Sequence, residues 1–382
     1  MAGRASTKVF VGLSGGVDSA TSAALLLKDG YDVVGAFITI TVEGYPCTAG
    51  VDRLDAMRAA AHLKIPFVEI DLSKEYQKRV FKESIAEFEK GRTPNPDTLC
   101  NREIKFGLFY EWAMAQGADY VATGHYARVR QKQVETSISQ ADGPRVANLQ
   151  QEIMCARRDL VSAELYTGAD ANKDQSYFLW AVPGNVLAHC LFPIGHLQKP
   201  EVRKLAEKFG LPNADRKDSQ GLCFLGLISV GDMLKKELHP APGTVVNEEG
   251  EAVGTHEGAV LYTMGQRHGF MLSHQVPDAV PHYVIAKDLE ANTITVSESR
   301  FPAGAKATII VLSDANWIGT IESGPVLARY RYRQELIPAT LDAQTNTVVL
   351  NEPHYAPLGQ SLVVYRQDRC LGGGVIEKVS VY

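Results

Sequence analysis

A chain of 382 residues, 22% of them charged and with a formal net charge of −5, has room for two or three domains that each bury a core. The acidic balance excludes a globally basic nucleic-acid binder, so any phosphate contact must come from local patches. No apolar run reaches membrane-spanning length and Met1–Lys8 is too short and polar for a signal peptide, so a cytoplasmic protein without a membrane partner is expected.

The apolar run Val9-Phe10-Val11-Gly12-Leu13 reads as a buried strand and leads into Ser14-Gly15-Gly16-Val17-Asp18-Ser19. A glycine turn that opens a helix leaves backbone N–H groups free for a phosphate, aided by the helix dipole. No lysine occurs between Leu13 and Ser22, which rules out a Walker loop. The helix that follows places Val17, Ala20, Ala24 and Leu27 on one face and stops at Gly30. Asp32–Thr39 and Pro66–Leu72 read as the next strands, and Tyr76, Val80, Phe81, Ile85 and Phe88 form a helical stripe. Tyr120–Thr123 is a further short strand ending in Gly124-His125, and Pro200 begins a helix that Gly210 stops. Such alternation predicts an α/β domain with a parallel sheet over residues 1–225. Ligands in such sheets lie beyond the carboxyl ends of the strands, which brings the glycine loop and Gly124-His125 to one site. Residues 131–165 are polar and aperiodic and read as a surface insertion.

After residue 225 the texture changes. Residues 226–294 read as a small connecting domain rich in turns. Residues 295–382 carry short strands at 308–312, 326–333, 347–350, 362–365 and 375–382, the rhythm of a small barrel or sandwich. On a strand, Arg329-Tyr330-Arg331-Tyr332-Arg333 would put three arginines on one face and two tyrosines on the other. Such a row can grip phosphates and support a base, or be a solvated edge.

Six cysteines lie far apart with no Cys-x-x-Cys pair, which points to reduced thiols and to no metal site. Cys47, Cys155, Cys190 and Cys370 read as small buried hydrophobes. Cys100 ends the stiff loop Thr93-Pro94-Asn95-Pro96-Asp97-Thr98-Leu99-Cys100, ahead of a helix expected from Arg102. A thiol at a helix N-terminus ionises more readily. Cys223 sits in Gln220-Gly221-Leu222-Cys223-Phe224, preceded by Arg216-Lys217, where positive charge again favours thiolate.

These motifs together resemble a family. Ser14–Ser19 is similar to the signature of the ATP pyrophosphatases. With Thr93–Asp97 and Cys100-Asn101, Thr123-Gly124-His125-Tyr126, Asn172–Leu179, Lys217-Asp218-Ser219 with Cys223-Phe224, and Arg331–Gln334, the chain resembles the MnmA-type tRNA-specific 2-thiouridylases from about Lys8 onward. The resemblance implies an N-terminal HUP-like ATP-pyrophosphatase domain, a small central domain and a C-terminal β-barrel that contacts tRNA. It implies ATP as substrate, with Mg²⁺, held by Gly12, Leu13, Ser14, Gly15, Gly16, Val17, Asp18, Ser19, Ile38 and Gly124. It implies tRNA contacts at Asn95, Pro96, Asp97, His125, Lys173, Asp174, Gln175, Arg331, Tyr332 and Gln360. In the family the counterpart of Cys223 carries sulfur as a persulfide, delivered by a sulfur carrier or a cysteine desulfurase. The counterpart of Cys100 resolves the intermediate and leaves a Cys100–Cys223 disulfide. Asp97 either contacts the base as an acid or base, or caps the helix near Arg102.

Two features depart from the family pattern. Ile38-Thr39-Ile40-Thr41 stands where a Met-Lys-Asn-Trp-like segment is usual, and residues 131–165 are longer than usual. Two other readings stay open: another synthetase of the ATP-pyrophosphatase group, and an RNA-binding protein with a degenerate nucleotide loop.

Overall fold

The computed structural model describes residues 6–46, 49–132, 162–217, 229–273, 280–301 and 303–382. The chain begins with β1 (Lys8–Gly12), α1 (Val17–Lys28), β2 (Asp32–Thr39), α2 (Ala49–Leu63), β3 (Phe67–Asp71) and β4 (Tyr120–Ala122). After a hairpin of β5 (Ala127–Lys132) and β6 (Ser162–Thr167) comes a short β7 (Cys190–Leu191). Strands β3, β2, β1, β4 and β7 form, in that order, one parallel sheet.

The sheet is covered on both faces because alternate side chains of its inner strands are apolar on both. Val9, Val11, Val33 and Phe37 pack with Ala23 and Leu26 of α1 and Ala56 and Ala60 of α2. Phe10, Val34, Ala36 and Ile38 pack with Tyr76, Val80, Phe88, Ile104 and Phe109 from the helical segments Ser73–Glu89 and Pro96–Ala115. At roughly 1.5–3 kcal/mol for each large side chain buried, this two-sided core fixes the carboxyl edge of the sheet, where β1 and β4 end side by side.

The polar stretch expected at 131–165 is framed by structure. Gln131 and Lys132 end β5, Ser162–Leu165 begin β6, and Ala163 and Leu165 are buried. The hairpin buries a face because it adds β6 to the edge of the C-terminal sheet, Leu165 pairing with Cys370. Residues 133–161 lie outside the described residues.

The middle of the chain supplies a helix at Val230–Leu238, capped by Ser229, whose hydroxyl accepts the Asp232 amide at 3.1 Å. It is followed by β8 (Gly243–Val246), β9 (Ala252–His256), β10 (Phe270–Leu272), β11 (Tyr283–Asp288) and β12 (Thr293–Ser297), which form a second five-stranded sheet.

The C-terminal strands are β13 (Thr308–Trp317), β14 (Gly324–Arg329), β15 (Ile337–Asp342), β16 (Thr347–Leu350), β17 (Ser361–Arg366) and β18 (Arg369–Val381). They pair antiparallel, and β13 pairs with β18 to close a six-stranded barrel rather than a sandwich. β15 was not expected from the sequence, because Pro338 and the charged flanks Glu335 and Asp342 hide its alternation. Its apolar residues Ile337, Ala339 and Leu341 are buried and alternate with exposed ones. No helix among the described residues is long and apolar enough to cross a membrane.

Candidate nucleotide and thiol site

The glycine loop begins where β1 ends. Leu13 still donates its amide to Ala36 on β2, and the chain then reverses at Gly15, which has φ +78°. A side chain at Gly15 would also collide with the Asp52 carbonyl, so only glycine fits there. Gly16 is the N-cap of α1 and supplies no side-chain cap, which leaves first-turn amides for a ligand. Ser14 and Ser19 close the turn from within: the Ser14 amide donates to Ser19 Oγ at 3.1 Å and Ser19 Oγ donates to the Gly16 carbonyl at 3.1 Å. From outside, Asn213 Nδ2 and Arg216 Nη1 donate to the Gly15 carbonyl at 2.7 and 3.2 Å. Arg216 is itself held by Asp55 at 2.8 Å and by Asp52, both on α2.

Asp18, in the first turn of α1, meets Lys199. The Lys199 Nζ lies 2.7 and 2.8 Å from its two carboxylate oxygens, and Tyr126 donates its hydroxyl to Oδ1 at 2.8 Å. Lys199 comes from the start of the helix Lys199–Lys208, whose N-cap is Gln198, so Pro200 sits inside the first turn. The loop that lacks a lysine in sequence thus receives one from 181 residues away.

Gly124 follows β4 and packs against the start of α1. A Cβ there would lie 2.7 Å from the Ser19 amide nitrogen and 2.8 Å from the Asp18 carbonyl carbon. The next residue, His125, is buried between Phe106 and Phe192, and its Nδ1 lies 2.7 Å from Thr123 Oγ1. Burial, and secondarily the Lys105 ammonium, holds its pKa well below the usual histidine value, so the ring is neutral at pH 7. Ile38 is the next-to-last residue of β2, with its side chain in the core.

The cysteine helix starts earlier than the sequence suggested. It runs from Pro96, with Asn95 as N-cap accepting the Thr98 amide at 3.2 Å, and continues through a π-helical stretch Asn101–Leu108 to Ala115. Two expectations are thereby corrected. Asp97 is not the cap, because Asn95 is; and Cys100 is not at the helix N-terminus but a full turn in, where the dipole effect has faded. Cys100 is fully buried, in the cluster that contains Phe10, Ile104 and Phe109. Cys223 and its loop lie outside the described residues.

On the barrel side the geometry also departs from expectation. The Arg/Tyr row is not one strand: β14 ends at Arg329, and Tyr330–Arg333 form a turn in which Arg333 has φ +62°. Arg329 is buried and pairs at 2.5 Å with Asp174, itself buried. Asp174 also accepts the amides of Gly168 and Ser176 at 3.0 and 3.1 Å. Both are therefore absorbed inside the protein. Arg331 is exposed, while Tyr332 packs on Phe178 with ring centroids 4.7 Å apart. Gln175 Oε1 accepts the Tyr126 amide at 3.0 Å, and Lys173 is half-buried. Gln360 Oε1 accepts from Asn95 Nδ2 at 3.2 Å and from the Ser361 amide at 2.9 Å.

The structure thus joins Ser14–Ser19, Gly124 and Asp18 through α1, and joins Asn95 to Gln360 and Asp174 to the barrel. Sequence reasoning missed Lys199, Tyr126, Asn213, Arg216 and Arg329 as parts of these assemblies. Tyr126 and Arg216 stood within quoted motifs without a role of this kind, and Lys199 stands in an ordinary helix start.

Three family models match along the chain: a tRNA methyl transferase HUP domain at residues 7–227, a tRNA methyl transferase PRC-barrel domain at 231–298, and an aminomethyltransferase beta-barrel domain at 307–376. The tRNA-specific 2-thiouridylase MnmA of Lacticaseibacillus paracasei is 40% identical over 380 residues, 97% of this chain and 94% of that protein. Its counterpart in Pseudomonas fluorescens is 42% identical over 382 residues, with the same coverage. That of Streptococcus mutans is 38% identical over 387 residues, 99% of this chain and 97% of that protein. A solved 4-thiouridine synthetase in complex with RNA and ATP is a remote likeness, with TM-score 0.33 and 15% identity over 61% of this chain and 50% of that one. By full-length kinship at this level, the chain belongs to the MnmA family of tRNA-specific 2-thiouridylases.

Proposed function

We propose that this chain is a tRNA uridine 2-sulfurtransferase that spends ATP to activate the wobble uridine and delivers sulfur from a cysteine persulfide. The observation that carries the reading is the Ser14–Ser19 turn, its amides open at the start of α1 and Lys199 set against Asp18. That turn suits a triphosphate: first-turn amides and the helix dipole favour bound anion.

The uridine C2 oxygen is a poor leaving group. Adenylation of that oxygen makes it a good one and releases pyrophosphate. The outer sulfur of a Cys223 persulfide then attacks C2 and AMP departs. Attack of the Cys100 thiolate on the Cys223 sulfur frees 2-thiouridine and leaves a disulfide that an external thiol must reduce. In this role Cys100 has to leave its buried position, and Asp97, half-buried one turn away, handles a proton near the base. Mg²⁺ bound with the triphosphate would neutralise part of its charge, with Asp18 of the turn the carboxylate nearest to hand. Among the described residues no group of three or more His, Cys, Asp or Glu side chains could hold a metal.

Residues 1–225 carry the chemistry in this reading, 226–294 connect, and 295–382 help grip tRNA. The sulfur comes from a persulfide-bearing carrier or desulfurase in the cytoplasm, where thiols stay reduced. Mass spectrometry of tRNA from a deletion strain tests the function: wobble 2-thiouridine should vanish and return with the wild-type gene. Cys223→Ser should not restore it, yet should keep tRNA-stimulated ATP–pyrophosphate exchange. Undiminished 2-thiouridine in the deletion strain would refute the function.

A further inference from the structure

Gln360 reaches from the barrel to the start of the cysteine helix. Its Oε1 accepts from Asn95 Nδ2 at 3.2 Å and from the Ser361 amide at 2.9 Å, and the Tyr177 hydroxyl lies 3.2 Å from it. The backbone N–H of Ser361 can only donate, so this contact fixes which end of the Gln360 amide is oxygen. Asn95 in turn uses its own Oδ1 on the Thr98 amide, as the cap of the helix that carries Asp97 and Cys100. Both ends of the Asn95 amide are therefore engaged within the protein. Tyr177, fully buried, also lies 2.9 Å from the Tyr330 carbonyl and 3.1 Å from that of Ser361, so its hydroxyl sits at the seam between the barrel and the Asn172–Phe178 segment.

We infer that Gln360 and Tyr177 are positioning residues: from the barrel they hold the Asn95 cap, and through it the placement of Asp97 and Cys100 relative to a docked uridine. The inference rests on the proposed function. It differs from the expectation that Gln360 contacts tRNA, which would draw on the Nε2 donor, whereas the positioning role draws on the oxygen. The role requires an acceptor at this point and nothing else. Glutamate preserves that acceptor, whereas leucine of similar size removes it. A direct contact to phosphate or sugar would respond in the opposite way, since a carboxylate beside tRNA repels it.

The test is steady-state thiolation of tRNA by full-length protein with ATP and a persulfide source, comparing wild type, Gln360→Leu, Gln360→Glu and Tyr177→Phe. Gln360→Leu and Tyr177→Phe should lower kcat by about tenfold or more, with KM for tRNA within about twofold, because misplacing a reacting group costs turnover rather than binding. Gln360→Glu should recover most of the lost kcat. A rise in KM of more than about fivefold in Gln360→Leu and Gln360→Glu alike would overturn the inference, as would unchanged kinetics in Gln360→Leu and Tyr177→Phe. If Gln360→Leu does not fold, Tyr177→Phe decides alone, since it removes one oxygen and keeps the ring. Wild-type protein that makes no 2-thiouridine would instead sink the functional reading, so the two failures are separable.

Discussion

The Lys199 ammonium stands 2.7 and 2.8 Å from the two carboxylate oxygens of Asp18, bridging the helix Lys199–Lys208 to the first turn of α1. A P-loop carries its cation within the loop; here the fold brings one in from a distant helix. The Asp18 carboxylate holds Lys199 in place, and its share of Tyr126 keeps the group oriented. Lys199→Met should therefore lower tRNA-stimulated ATP–pyrophosphate exchange by about a hundredfold, the usual cost of removing one preorganised charge stabiliser. Gly124→Ala should be comparably damaging, because its methyl would press on the Ser19 amide and displace the start of α1. Exchange rates near wild type in either variant would show that the turn tolerates the change and does not hold the phosphates.

Arg331 and His125 were both expected at the tRNA, and the structure separates their electrostatics. Arg331 is exposed and charged, whereas His125 is buried and neutral at pH 7. Arg331→Ala should flatten the plot of log affinity against log salt by about 0.7–0.9, one phosphate contact's worth of counterion release. His125→Gln should leave that slope unchanged. Filter binding or anisotropy over a salt series at pH 7.5 measures both.

The Asp174–Arg329 pair is buried on both sides, with side-chain exposures of 5% and 9%. Removing one partner strands the other charge away from water, a change that costs about 3–5 kcal/mol. Arg329→Met should thus lower the melting temperature sharply. The double variant Asp174→Leu with Arg329→Met should lose much less than the sum of the two singles. Calorimetry of the four proteins gives the cycle, and simple additivity would mean that the pair is not coupled.

Lys287 lies in the central sheet with its ammonium donating to the Tyr262 carbonyl at 2.8 Å. Burial brings its pKa down to about 8 from the ordinary 10.5. Between those values the unfolded chain holds a proton that the folded one has released, so stability should rise with pH through this window. Below pH 8 both states are charged and the full cost of burying the ammonium remains. Lys287→Met should therefore stabilise the protein below pH 8, with the gain shrinking as the pH approaches 10. Melting curves from pH 7 to 9.5 read the difference, and a gain that does not change with pH would count against the shift.

Much of the fold is legible in the sequence because its signals are local. A run such as Val9–Leu13 is apolar at every position, and a strand buried on both faces needs that composition. The glycine turn is equally local, since φ +78° at Gly15 admits little else. The Arg/Tyr row misled because period two describes a strand only while the strand continues. Arg329 ends β14 because its guanidinium turns inward to Asp174, a partner 155 residues away in sequence. Cys100 misled likewise: Pro96 and Asn95 already mark a helix start, and the second half of the loop is its first turn.

The sequence by itself determined the Ser14–Ser19 turn and the order of sheet, connector and barrel, because each depends on residues adjacent in the chain. Only the tertiary structure decided that Lys199 serves the turn, that Asp174 and Arg329 serve each other, and that Asn95 answers to Gln360. Those pairings join residues 155 to 265 positions apart. No periodicity or spacing encodes them, because packing of the cores alone brings such side chains within hydrogen-bond reach.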